Sequence, residues 1–156
     1  MNKRGDFIIR VYGIVVNSKN EVLITDEFQL GMKMTKFPGG GLHFGEGLLD
    51  CLKREFKEEC NDQEIKILKH FYTTDYFQKA LFYKNHQLIS IYYLVDLVPP
   101  LKFRISEKPF DFEEIKDGNQ SFRWKNIIEM DENEFTFPID RLVVKILKEK
   151  LRSNKS

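Results

Sequence analysis

Three glutamates, Glu55, Glu58 and Glu59, close the segment GGGLHFGEGLLDCLKREFKEEC, which runs from Gly39 to Cys60. On a helix they stand at i, i+3 and i+4 and share one flank, with Cβ atoms about 6 Å apart. Like charges at that spacing repel, and acids sit badly at the negative end of a helix dipole. Either something offsets that cost or the three are solvated. Three carboxylates so placed can hold a hard divalent cation such as Mg²⁺, which takes oxygen ligands and keeps waters and phosphates in its shell. A bound cation becomes the largest local charge and reverses the repulsion. The glycines Gly39–Gly41 allow a ligand or a metal to approach backbone carbonyls closely. Gly45-Glu46-Gly47 adds a second permissive turn, with Glu46 near the helix N-terminus, where an acid is favoured. Lys53, Arg54 and Lys57 interleave with the acids, and such mixed-charge helices are commonly solvated faces.

These residues must be positioned by a fold. The chain has 156 residues, which suits one domain spanning 1–156 with a real core. FIIRVYGIVV (Phe7–Val16) reads as a strand, NSKN as a turn, and EVLITDEF (Glu21–Phe28) as a second strand. MKMTKF (Met32–Phe37) is a short third strand. A helix follows over Leu48–Cys60, with Leu49, Leu52, Phe56 and Cys60 as its core-facing stripe. Ile65–Phe77 alternates as a strand. Lys79–Val98 reads as a hairpin turning at KNHQ, and Leu101–Ile105 as a short strand. Glu107–Gln120 is polar loop, SFRW (Ser121–Trp124) a strand, and NIIEM a short helix. Pro138–Leu151 is a C-terminal helix with proline in its first turn, and RSNKS is a frayed tail. The mixture predicts an α/β (α+β) class, a layered sheet–helix sandwich with a mixed β-sheet.

Composition narrows the partners. Net charge is +1, so no broad basic face points to nucleic acid or an anionic membrane. No stretch reaches transmembrane length, and the N-terminal apolar run, broken by Arg10, is not a signal peptide. Cys51 and Cys60 lie too far apart on one helix for a disulfide and read as reduced, partly buried thiols, which fits the cytoplasm. A second copy of the chain is an allowed partner.

Gly40, five residues, Glu46, seven residues, then Arg54-Glu55-Phe56-Lys57-Glu58-Glu59 resembles the Nudix box, and FPGG (Phe37–Gly40) matches its usual lead-in. The order of elements extends a weaker resemblance over nearly the whole chain. The resemblance implies an α/β/α sandwich and a hydrolase that cuts a pyrophosphate bond in a nucleoside diphosphate linked to another moiety, using Mg²⁺ or Mn²⁺. It implies Glu55, Glu58, Glu59 and the backbone carbonyl near Gly39 as metal ligands. It makes Arg54 the residue that orients the carboxylates and Glu46 a support of the loop. Glu58 is the first choice of general base. A later loop, FDFEEIKDG, offers Glu113, Glu114 and Asp117, of which Glu114 is favoured.

The chain departs from the family pattern at Asn61 and Asp62, where a glycine and an apolar residue are usual, and at His43, where glutamate is common. Asn61 tolerates the left-handed backbone of a helix exit. His43 lines the pocket or the turn. Tyr72, Tyr76 and Phe77 stack a nucleobase or pack on the sheet. Trp124 reads as core, and His70 and His86 as surface. Asp26–Lys36 contains no arginine, against the coenzyme A type, and the near-neutral charge argues against capped RNA. A sugar nucleotide, ADP-ribose and a modified nucleoside triphosphate stay open as substrates. So does a non-catalytic nucleotide-binding or regulatory module on the same scaffold, or a plain interaction domain.

Overall fold

The computed structural model describes residues 4–154. In chain order the elements are β1 (Asp6–Val15), β2 (Glu21–Gln29), β3 (Met32–Lys36), β4 (Gly39–Gly41), α1 (Leu48–Glu59), β5 (Ile65–Thr73), β6 (His86–Leu97), β7 (Asn119–Asn126), a 3₁₀ turn (Glu132–Glu134) and α2 (Pro138–Ser153). The class is mixed α+β. Antiparallel ladders dominate, and a parallel bridge joins Ile105 to Phe122, so strand direction is mixed. No helix among the described residues is long and apolar enough to cross a membrane. The chain forms two compact units, one of residues up to Gly13 with Gly39–Lys102, the other of Ile14–Pro38 with the chain from Phe103 onward.

The first unit holds a sheet in the order β4-β1-β6-β5 and the helix α1. The helix buries Cys51, Leu52, Glu55 and Phe56. Leu49, expected in that stripe, is exposed. Helical side chains lean toward the N-terminus, so a first-turn residue reaches past the surface its helix covers. Phe56, 1% exposed, anchors the helix. Phe56→Ala is expected to cost about 3–5 kcal/mol, read as a fall in the urea midpoint.

The helix exit explains the Asn61-Asp62 departure. Both residues are left-handed, with φ of 52° and 65°, and the Asp62 N–H donates to the Lys57 carbonyl at 2.8 Å. That six-residue closure is the form usually built on glycine, and Asn is the residue that most readily replaces it. The fully buried Gln63 amide then ties down the chain after β6, donating to the Val98 carbonyl at 2.8 Å and accepting from the Lys102 N–H at 2.8 Å.

The second unit centres on β2, between β3 and β7, with α2 burying Ile139, Val143, Val144 and Leu147. The NSKN turn before β2 is closed by Asn17, whose side chain accepts from Lys19 and Glu21 N–H groups. On one face of β2, Asp26 is fully buried and is held by Arg123 at 2.7 Å and the Thr35 hydroxyl at 2.7 Å.

Five expected boundaries differ. Residues 79–85 form turns rather than a hairpin arm, touching β6 through a Lys79–Gln87 bridge, and β6 pairs with β5 over Ile91–Leu97. β5 itself stops at Thr73, and irregular chain with a bend at Tyr76 follows. Leu101–Ile105 contributes one bridge, not a strand, and NIIEM is a turn that precedes the 3₁₀ segment. The tail is helical through Ser153, and its last residues, 155 and 156, lie outside the described residues.

Candidate active site

Gly39–Gly41 is not a loop. It pairs with β1 as a strand, Gly39 opposite Tyr12, Gly40 opposite Val11 and Gly41 opposite Arg10. At Gly39, with φ of +149°, a Cβ would fall 2.1 Å from the Val11 carbonyl oxygen. At Gly40 a Cβ would fall 2.3–2.5 Å from the Glu55 carboxylate. The close approach that these glycines permit is thus that of a neighbouring strand and of a glutamate from α1. Glu55 is 8% exposed and rests against bare backbone.

Arg54 organises the rest. Its guanidinium grips Glu46 with two bonds, Nε to Oε2 at 3.0 Å and Nη2 to Oε1 at 2.7 Å. Nη1 reaches Glu55 Oε1 at 2.9 Å and Glu58 Oε2 at 3.2 Å, and Nη2 also donates to the Gly41 carbonyl at 2.9 Å. Bidentate guanidinium–carboxylate pairing is strong and directional. Glu46 takes a further bond from the His43 N–H at 2.8 Å, so one glutamate closes the turn before α1 and fixes the arginine beside it.

These contacts move protons. The Arg54 bonds, aided by the His43 N–H, hold the Glu46 carboxyl at about 2, against an ordinary 4.5. Pairing with Glu46 raises Arg54 further above its ordinary range. Burial pushes the Cys51 thiol up to about 12, with Glu46 nearby adding to it, and burial raises Cys60 as well. Both thiols are free, buried and protonated at neutral pH, hence unreactive. A depressed carboxyl stabilises the fold above its unfolded value and loses that contribution as pH falls through the folded value. The Glu46 link to Arg54 is therefore expected to stay whole at neutral pH, to weaken below the ordinary 4.5 and to be gone below about 2. An NMR titration of the Glu46 carboxyl carbon checks this, and a midpoint near the ordinary value contradicts it.

The expected site residues fall into three groups. Glu55, Glu58 and Arg54 come together, with Glu46 and the Gly41 carbonyl. Gly39 pairs within a strand. Glu59 is half-buried one turn after Glu55, while Glu58 is exposed. Among the described residues, no three His, Cys, Asp or Glu side chains already form a metal cluster. The donors are nonetheless all carboxylate oxygens, which suit Mg²⁺ or Mn²⁺. Arg54 engages one oxygen of Glu55 and one of Glu58, and both Glu55 oxygens lie against Gly40. His43 is exposed and contributes its backbone to the site. Tyr76 and Phe77 lie on the exposed turn after β5, and burial raises the Tyr76 hydroxyl. Glu114 belongs to the second unit, in the loop before β7. Sequence reasoning missed Gly41 and Cys51. The Cys51 sulfur lies 3.7 Å from Arg54 Nη2, and its place one turn before Arg54 on the buried face was the available signal.

The family model described as NUDIX domain matches residues 6–142. The chain belongs to the Nudix family. It is a Nudix-type hydrolase, of a family of pyrophosphohydrolases acting on small nucleotides. Its fold is similar to that of a MutT protein from Methanosarcina mazei Go1, with 19% identity, a TM-score of 0.66, and 99% of this chain and 100% of that one covered. A NUDIX hydrolase from Nitrosomonas europaea is 15% identical at a TM-score of 0.64, covering 91% and 87%. An ADP-ribose pyrophosphatase from Streptococcus suis 89-1591 is 12% identical at 0.58, covering 96% and 92%. No curated protein matches the chain.

Proposed function

We propose that this chain, a single Nudix domain over 1–156, hydrolyses a phosphoanhydride bond in a nucleoside diphosphate joined to another moiety, or in a nucleoside triphosphate. The observation that carries the reading is the Glu55 carboxylate seated on Gly40 while Arg54 ties it to Glu58 and Glu46. Glu55, Glu58 and Glu59, with the backbone near Gly39, would hold Mg²⁺ or Mn²⁺. When bound, the metal would neutralise phosphate oxygens and make water a better nucleophile.

The chain's own residues do the rest. Arg54 fixes the carboxylates and so removes the cost of arranging them during reaction. Glu58, exposed and held at one oxygen only, takes the proton from the attacking water. Glu114 is the other candidate for that base. His43, Tyr76 and Phe77 contact the substrate beyond its phosphates. Related folds whose names specify ADP-ribose or UDP-X as substrates support the substrate class, and a cytoplasmic site of action fits two buried free thiols. A homodimer is compatible with this reading.

The test is hydrolysis of a panel of nucleotide sugars, ADP-ribose and nucleoside triphosphates with Mg²⁺, with Mn²⁺ and with chelator. Turnover is expected with either ion and is expected to disappear with chelator. A ligand that raises the melting temperature and is recovered intact with metal present would favour the non-catalytic module instead.

A further inference from the structure

Two loops of the chain carry charge of opposite sign beside exposed apolar side chains. The first is 79–85, before β6 in the first unit. It is closed by the Ala80 N–H, which donates to the His86 carbonyl at 3.0 Å, and by the Leu88 N–H, which donates to the Gln78 carbonyl at 2.8 Å. His86 Nδ1 donates to the Lys84 carbonyl at 2.6 Å, and its ring lies 5.7 Å from that of Tyr83. Ala80 is buried at the root of the loop, whereas Leu81 is 57% and Tyr83 56% exposed at its tip. From Phe77 to Gln87 the chain has Lys79 and Lys84 and no acid.

The second loop is 107–118, before β7 in the second unit. Its start is fixed at Asp111, which Arg104 holds at 2.8 Å and the Ser106 hydroxyl at 2.9 Å. Its end is fixed by the Gly118 N–H, which donates to the Phe28 carbonyl at 2.9 Å. Between these anchors it lines a cavity of about 360 Å³ with Phe112, Glu113, Glu114 and Lys116, and Ile115 beside them is exposed. Glu107–Gly118 holds five acids against two lysines. Asp111 is engaged, but among the described residues Glu113, Glu114, Lys79 and Lys84 form no ion pair. Exposed apolar side chains rimmed by charge mark an interaction surface. Both loops are pinned at their ends, so docking would order little that is not already ordered.

The occupant follows from charge. The acidic rim of the cavity repels nucleic acid and an anionic lipid surface and attracts a cationic loop with an apolar tip. The loop 79–85 of another copy has that chemistry and is present wherever the cavity is. We propose that the loop 79–85 of one copy docks into the cavity of a second copy, with Leu81 and Tyr83 against Phe112 and Ile115 of the second copy and Lys84 against its Glu113. Reciprocal exchange of the loops closes a dimer. Two short loops bury less than about 1,200 Å² in total, the weak class of interface, so association belongs to high protein concentration. The proposal does not depend on the hydrolysis proposed above.

Sedimentation equilibrium of the full chain, from micromolar to millimolar concentration, is the test. Wild type is expected to self-associate, and more weakly as salt rises from about 0.1 M to about 1 M, since screening cuts the reach of charge from about 10 Å to about 3 Å. Lys84→Glu and Glu113→Lys are each expected to weaken association about tenfold, and the two together in one chain to restore it. Glu113 is chosen because Glu114 is the alternative base of the reaction proposed above. Leu81→Ser with Tyr83→Ser is expected to weaken association while leaving its salt dependence in place. All four positions are exposed, so the variants are expected to fold, which an unchanged melting temperature verifies. A dimer or a longer array that obeys the charge reversals supports the proposal. It is overturned if wild type stays monomeric at millimolar concentration, if either charge reversal associates as wild type does, or if the combined chain fails to recover. A monomer that floats with phosphatidylserine vesicles, and ceases to in Lys84→Glu, would also overturn it and make a lipid surface the occupant.

Discussion

Glu58→Gln is expected to lower kcat by roughly 10²–10⁴-fold, the range for loss of a general base, with KM little changed. The substitution keeps the size of the side chain and removes its charge. Structure should barely respond. The Glu58 side chain is 59% exposed, and its bond to Arg54 is the outermost of that residue's set. Exposed pairs of this kind contribute about 0–1 kcal/mol, so the melting temperature should hold nearly constant. Arg54 keeps its two bonds to Glu46 and its bond to Glu55, and the remaining carboxylates keep their places. Paired measurements of turnover and thermal stability check this. A variant within about threefold of wild-type kcat would remove Glu58 as the base and move the test to Glu114→Gln.

The crowding of glutamates near the end of α1 was legible in the sequence, and so was the motif that gives it meaning. What offsets the crowding was only half legible. Repulsion among these acids suggested a cation from outside the chain. In the structure Arg54 already bridges Glu55 and Glu58, because a residue at i−1 and i−4 to them carries a fork long enough to reach both. β1, β2, β3 and β7 were read to within two residues, since period and turn chemistry are local, whereas β5 stops at Thr73, short of its expected end at Phe77. Errors arose where partners are distant in sequence. Residues 79–85 have strand composition but pair with β6 at a single bridge, Lys79 to Gln87, before the chain turns. Gly39–Gly41 has no strand propensity at all, and its pairing is set by β1. Glu55 reads as a surface acid by its charge, yet Gly40 opens the space that buries it. Charge pattern alone cannot show a cavity made by an absent side chain fifteen residues earlier in the chain.

That missing side chain gives the other large effect. Gly40→Ala is expected to cost about 10²-fold in kcat, the scale of an ångström's displacement at a catalytic group. The backbone of Gly40 lies outside the left-handed region and β4 is pinned to β1 at Val11, so alanine fits the strand itself. Its methyl would sit 2.3 Å from Glu55 Cδ, and ordinary contact needs about 3.5 Å. The end of the Glu55 side chain is the part that can yield, and yielding moves it off Arg54 Nη1. The overpacking should cost no more than about 1–3 kcal/mol, so a folded but slow enzyme results, with weakened Mn²⁺ affinity as an independent sign. Combining Gly40→Ala with Glu55→Asp shortens the offending side chain by one methylene and should recover part of the metal affinity. Circular dichroism, Mn²⁺ titration and kcat on wild type and these two variants separate these effects. If Gly40→Ala turns over within a few-fold of wild type, the position of Glu55 against the strand does not matter to the reaction. The carboxylates would then act through charge alone, which any arrangement near the end of α1 could supply.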